Sequence, residues 1–167
     1  MKYWNDIDTG KDEGMICKTV SFSRKDGDVV RAYYTRPLTE GCYPGILLIP
    51  HMPGWDEFSR EMARRLTQHD YAVVCPDIYR HVGTGRPDEV ARKSMEAGGV
   101  SDAEVMKDAE ASISFLRDSS ENNGRIGVIG MCSGGRHTFM AACRLDGIDA
   151  AVDCWGGGVI NQRIRRV

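Results

Sequence analysis

Arg125-Ile-Gly-Val-Ile-Gly-Met-Cys-Ser-Gly-Gly135 carries an apolar segment straight into Gly130-x-Cys132-x-Gly134. The spacing is that of the strand–turn–helix elbow G-x-S-x-G, with cysteine in the serine's place. So tight a turn leaves no room for side chains two residues before and two after its centre, hence glycine at both. Ser133 fails as the centre because position 131 is Met, not Gly. Cys132 is therefore the candidate nucleophile, and acyl transfer is the chemistry it points to. The thiolate is the attacking form, and a free thiol has a pKa of about 8.5. At the start of the following helix, the macrodipole and unpaired backbone N–H groups favour the anion.

Apolar runs on either side of the elbow set the fold class. Gly45-Ile-Leu-Leu-Ile-Pro50 and Tyr71-Ala-Val-Val-Cys75 are continuously apolar, as strands buried on both faces are. Arg125–Ile129 reads as a third buried strand and Ala150–Cys154 as a fourth. Between them lie helical patterns. In 57–69, Phe58, Met62 and Leu66 recur four apart beside Ala63, which predicts one apolar face. Pro87 opens a helix closed by Gly98-Gly99. Ser101-Asp-Ala-Glu104 resembles a capping box opening a helix to about Asp118. A further helix covers 134–145. Near the start, Lys18–Arg24 and Val29–Tyr34 flank Lys25-Asp-Gly-Asp28, a hairpin signal. Residues 1 to 14 read as an irregular arm. An antiparallel hairpin followed by strand–helix repeats predicts an α/β fold with a mostly parallel sheet. No repeat or linker interrupts it, so residues 1–167 read as a single domain.

Composition excludes several functions. At 167 residues, 41% hydrophobic and 28% charged, the chain has the make-up of an ordinary globular domain. A net charge of -2 argues against a nucleic-acid partner. No apolar run is long enough to span a membrane, and the first residues carry no signal core, so a cytoplasmic location is expected. The six cysteines form no Cys-x-x-Cys pair and read as free thiols. Cys75, Cys143 and Cys154, set in apolar stretches, are expected in the core.

An acyl transfer also needs donors for the developing oxyanion. One is the backbone N–H of Ser133, directly after the nucleophile. The second comes from the loop after an earlier buried strand, Pro50-His-Met-Pro-Gly-Trp55. Pro53 has no N–H, which selects Met52.

With these pieces in place the chain resembles the dienelactone hydrolase family, a branch of the α/β-hydrolase fold. The resemblance runs from about Cys17 to Gly158. It rests on Ile49-Pro-His-Met-Pro-Gly-Trp-Asp56, Cys75-Pro-Asp-Ile-Tyr79, Ile129-Gly-Met-Cys-Ser-Gly-Gly-Arg-His137 and Ala150-Ala-Val-Asp-Cys-Trp-Gly-Gly-Gly158. It implies hydrolysis of a lactone or related ester by a Cys-His-Asp triad, without metal or organic cofactor. The matching positions are Cys132 as nucleophile with Met52 and Ser133 as oxyanion donors. Some members carry a glutamate near the thiol where this chain has His51. The family's Asp and His lie beyond the strand matching Ala150–Cys154 and have no matching positions here, so the domain is expected to be C-terminally truncated.

Four histidines bear on a substitute base. His137 lies on the elbow's own helix, facing away; His69 ends a helix; His81 sits in a loop near the mouth. His51 is the histidine expected near the thiol, and Asp153, near the end of its strand, completes a conceivable Cys132-His51-Asp153 set. Arg80, Arg86 and Arg92 are either carboxylate-binding groups or solvated charges. The main reading is a small-molecule ester or lactone hydrolase. The alternative is a noncatalytic remnant acting as an interaction or thiol-redox module. Loss of later strands would leave a sheet edge exposed, favouring self-association.

Overall fold

The computed structural model describes residues 14–52 and 54–159. The arm expected over 1–14 therefore lies outside the described residues except for Gly14, as does Pro53. Six strands form one sheet: β1 (Met15–Ser23), β2 (Val29–Pro37), β3 (Tyr43–Ile49), β4 (Ala72–Pro76), β5 (Asn122–Met131) and β6 (Ala150–Cys154). Their order is β1-β2-β4-β3-β5-β6. β1 and β2 form the antiparallel hairpin, β2 pairs antiparallel with β4, and β4, β3, β5 and β6 run parallel. Four helices connect them: α1 (Glu57–Thr67), α2 (Pro87–Glu96), α3 (Asp102–Arg117) and α4 (Ser133–Arg144). The α/β-hydrolase architecture with its mostly parallel sheet is thus present.

The central strands are as buried as their unbroken apolar runs require. Leu47, Leu48 and Ile49 on β3 and Val73 and Val74 on β4 are essentially sealed from solvent. Each such side chain is worth roughly 1.5–3 kcal/mol of burial. α3 and α4 cover one face and α1 the other.

Three sequence expectations are corrected. First, α1 does not bury Phe58; that ring is exposed, and Ser59, Ala63 and Thr67 face the sheet instead. Small residues bring the helix close enough for the Thr67 hydroxyl to pair with that of Thr35 at 2.6 Å, both buried. Met62 and Leu66 flank this contact, half-buried. Second, β6 is not a buried strand. Among the described residues it has a neighbour, β5, on one side only, and Ala150, Ala151, Val152 and Asp153 are exposed. Cys143, on the outward face of α4, is exposed too, whereas Cys75 is buried and Cys154 half-buried. Third, Ser101 makes no side-chain cap on α3. Glu104 is occupied by Arg24 at 2.7 Å and Lys107 at 2.8 Å, so the box does not close.

Buried charge ties the hairpin to α3. Asp108, 2% exposed, accepts from Arg24 at 3.1 Å and from Arg80 at 2.5 and 2.9 Å, and Arg80 also reaches Asp28 at 2.6 Å. Arg80 is therefore neither a surface charge nor open to a substrate carboxylate. Arg86 and Arg92 are exposed and paired with Asp88 and Glu96.

A second ionic contact joins α3 to α4. Asp102 receives two bonds from Arg136, at 2.5 and 2.7 Å, and pairs with His137 at 3.1 Å. The Arg136 guanidinium holds the Asp102 carboxyl at about 2, against 3.8 ordinarily. Burial pushes the His137 imidazole below its usual value. Both groups bind protons less readily when folded, so their contribution is present at neutral pH and lost on acidification. The Asp102 part goes as pH falls through about 2. This carboxylate is partly exposed, so screening leaves about 1 kcal/mol. Asp102→Asn is expected to remove that share of the drop in melting temperature between pH 4 and pH 2. Identical acid profiles for variant and parent in thermal melts would refute it.

Candidate active site

The carboxyl ends of four parallel strands deliver the site. β3 ends in the loop 50–56, β4 in the segment from Asp77, β5 in the elbow and β6 in Trp155-Gly156. Crevices outside such strand ends are where ligands of open α/β sheets bind.

Cys132 sits between β5 and α4 with φ 54° and ψ -119°. A non-glycine residue rarely adopts this conformation, which costs on the order of 1–3 kcal/mol and persists only where surroundings enforce it. Its surroundings do. The Cys132 N–H donates to the Cys154 carbonyl at 3.0 Å, and its own carbonyl accepts from Arg136 N–H at 3.2 Å. A Cβ on Gly130 would run into the backbone of Gly134 and stand 2.7 Å from the Thr138 hydroxyl. A Cβ on Gly134 would collide with the Ile49 carbonyl and lie 2.8 Å from that of Pro50. The two glycines are thus absent side chains at a three-way contact of β5, α4 and the end of β3. The turn holds the Cys132 side chain at an exposed position, at the N-terminus of a twelve-residue helix.

Ser133 is the first residue of α4, so its N–H has no partner within the helix. Its hydroxyl is buried. Met52 is half-buried on the facing loop. That loop is pinned at several points. The Trp55 indole N–H donates to the Cys75 carbonyl at 2.9 Å, and Arg31 stacks on the indole at 5.3 Å. Asp56 caps α1, accepting the Ser59 N–H at 3.0 Å. Gly54, at φ 63°, lets the chain cross the Tyr79 ring, which a Cβ would meet at 2.7 Å.

The structure gives His51 and Asp153 partners other than each other. His51 pairs through Nε2 with Asp56 at 3.0 Å, and its ring lies 4.9 Å from that of Phe58. Asp153 does not join it: its Oδ1 accepts the Gly156 N–H at 2.7 Å, closing the turn after β6. The Cys132-His51-Asp153 grouping is corrected accordingly, with Asp56 as the carboxylate on His51. The other histidines are engaged or remote. His137 is buried on Asp102, His81 is exposed beside Asp28 at 3.2 Å, and His69 is exposed just past α1.

Two residues of the site had no role in the sequence reading. Asp56 was legible as a helix cap, Asp before Glu57, but its second oxygen's use was not. Tyr79 is buried beside the elbow. Burial raises its phenol above the ordinary value, with the neighbouring Cys132 adding to the rise and the Ser133 hydroxyl opposing it. Burial tends to raise the Asp56 carboxyl, but the Ser59 N–H and His51 outweigh it and leave the group below the usual range. Among the described residues no cluster of three or more His, Cys, Asp or Glu is placed to hold a metal ion. No described helix is long and apolar enough to cross a membrane.

The model of the dienelactone hydrolase family matches residues 30–166. The carboxymethylenebutenolidase of Pseudomonas putida is 30% identical over 161 residues, covering 89% of this chain and 64% of its own length. A "Putative carboxymethylenebutenolidase" of Methylorubrum extorquens is 30% identical over 152 residues, covering 89% of this chain and 52% of its own. Among solved structures, a "Putative Dienelactone Hydrolase" from Klebsiella pneumoniae superposes with a TM-score of 0.75 at 26% identity, over 86% of this chain and 60% of that one. The chain thus spans about half to two thirds of the length of these relatives.

Proposed function

From the premise that the chain belongs to the dienelactone hydrolase family, we propose that it supplies the nucleophile and oxyanion donors of a hydrolase for lactones or related carboxylic esters. The observation that carries this is the enforced positive φ of Cys132 at an exposed helix N-terminus. Strain kept at one residue by two glycines and two backbone bonds is the mark of a positioned side chain. In this reading the Cys132 thiolate attacks the acyl carbon and forms a carbon–sulfur bond. The Ser133 and Met52 N–H groups receive the developing oxyanion. Collapse expels the alkoxide, which takes up a proton, and water cleaves the thioester to acid and free thiol. The substrate is a small molecule, and the chemistry needs no cofactor. Six free cysteines suit a reducing, cytoplasmic setting. The reading includes a second copy of the chain as a partner for the β6 edge, which among the described residues has no strand beside it and presents a row of backbone donors and acceptors.

The test is competitive alkylation with iodoacetamide near neutral pH, read by peptide mass spectrometry, alongside turnover of p-nitrophenyl acetate. Cys132 is expected to label at least about tenfold faster than Cys17, Cys42 and Cys143, which are also exposed. Uniform labelling of these four thiols, together with no turnover, would leave an interaction module as the better description.

A further inference from the structure

We propose that Tyr79 is a positioning residue of the oxyanion hole: its ring, wedged between the loop 50–56 and the elbow, sets the spacing of the Met52 and Ser133 N–H groups. The proposal rests on the hydrolase reading above and names what holds its two donors in place. The strand order puts β3 between β4 and β5. A side chain from the end of β4 therefore reaches the elbow only by passing the loop that follows β3. Gly54 is where it passes. A Cβ there would stand 2.7 Å from both Cδ2 and Cε2 of Tyr79, and 3.1 Å from the His51 carbonyl. The same ring belongs to the buried cluster against which Met52 packs. At its far end the phenol comes up to the elbow. The Ser133 hydroxyl is sealed from solvent and lacks a full hydrogen bond. It is close enough to the phenol to lower its proton affinity, while Cys132 raises it.

The ring can act as a spacer because its own backbone is fixed. Tyr79 is 5% exposed. Its N–H donates to Asp77 Oδ1 at 3.2 Å, and its carbonyl accepts the Val82 N–H at 2.9 Å. The next residue, Arg80, is tied to Asp108 and Asp28. The two donors come from segments far apart in sequence, Met52 after β3 and Ser133 after β5. A developing oxyanion needs both N–H groups at about 2.7–3.1 Å at the same time. Displacing one segment by about 1 Å costs on the order of 100-fold in rate. Gly134, against the Ile49 and Pro50 carbonyls, fixes the elbow to the start of the loop. Tyr79 fixes the stretch beyond, where Met52 stands.

Two reactions of the Cys132 thiolate divide on this point. In acylation by p-nitrophenyl acetate, a sulfur electron pair bonds the acyl carbon and the carbonyl oxygen takes up the π pair as the oxyanion. The C–O bond then breaks, and p-nitrophenolate leaves with its electron pair. In alkylation by iodoacetamide, sulfur attacks a saturated carbon, iodide leaves, and no oxyanion forms. A spoiled oxyanion hole slows the first reaction and spares the second. Damage to the elbow or to the thiol slows both.

The experiment measures both rates at Cys132 near neutral pH, by peptide mass spectrometry, in the full chain, Tyr79→Leu, Tyr79→Phe and Gly54→Ala. Tyr79→Leu is expected to slow acylation at least about thirtyfold while alkylation stays within about threefold of the parent. Tyr79→Phe keeps the ring and is expected to hold both rates within about threefold. Gly54→Ala presses a methyl onto the ring from the loop side and is expected to separate the two rates in the same direction as Tyr79→Leu. Should Tyr79→Leu fail to fold, Gly54→Ala decides alone. Equal slowing of both reactions, unchanged acylation, or a phenylalanine variant as slow as the leucine one overturns the role of Tyr79 while leaving Cys132 as nucleophile. Failure of the underlying reading is seen differently, and takes the role of Tyr79 with it: in the parent, Cys132 is acylated no faster than Cys17, Cys42 and Cys143, the other exposed thiols.

Discussion

Cys132→Ala is expected to cut ester turnover by about 1000-fold or more, equivalent to roughly 4 kcal/mol of transition-state stabilisation, while leaving the melting temperature almost unmoved. The thiol is exposed, so its removal opens no cavity in the core. The backbone bonds that hold the turn, to Cys154 and Arg136, do not involve the side chain. Cys132→Gly provides the sharper comparison. It is equally inactive, but glycine adopts φ 54° and ψ -119° without steric cost. The relief of about 1–3 kcal/mol is offset in part by the freer unfolded chain, about 1 kcal/mol. Relative to the alanine variant, the glycine variant should melt higher, by up to about 8 °C. Retention of turnover by Cys132→Ala removes the nucleophile assignment. A glycine variant that melts below the alanine variant removes the claim that strain is stored at this residue.

Gly134→Ala carries the largest expected cost in stability. The added methyl would collide with the Ile49 carbonyl and press on that of Pro50, and backbone atoms of a buried strand end cannot swing aside. α4 would have to lift from β3, taking Ala141 and Thr138, both fully buried, out of contact. A loss of about 3 kcal/mol or more follows, or about 6–12 °C in melting temperature for a chain of this size. Turnover and fast labelling of Cys132 should vanish with it, since the elbow loses its support. Gly157→Ala is the matched control: nothing lies within 4 Å of its Cβ, and it should change stability by less than about 0.5 kcal/mol. Equal melting of the two alanine variants would disprove the steric account.

Much of the candidate site could be read locally. The centre of the elbow followed from one position, because Met131 excludes Ser133 and only Cys132 has glycines at both flanks. Unbroken apolar runs located the three strands that prove buried, and Asp-Gly located the hairpin. Each of these rests on chemistry within a few residues.

Elsewhere the local pattern was ambiguous or misleading. On α1 two stripes run four apart: Phe58, Met62, Leu66 and, one residue on, Ser59, Ala63, Thr67. Hydrophobicity favours the first. The second wins because small residues allow close approach to the sheet, and because Thr67 finds Thr35, 32 positions away. β6 has the composition of a buried strand, but burial depends on neighbours on both sides and on covering helices, and composition does not count neighbours.

The carboxylate for His51 shows the same division most plainly. Asp153 has the strand-end position of a site carboxylate, yet it is spent on its own turn. Asp56 lies five residues from His51, but whether the chain folds back to join them depends on Trp55 reaching Cys75 across the loop and on α1 beginning where it does. Backbone strain, glycine clearances and strand periodicity are properties of short stretches, so the candidate nucleophile and the sheet were legible in the order of residues. Which helix face lies inward and which carboxylate meets the imidazole are set by distant segments packing together, and those contacts exist only once the chain has folded.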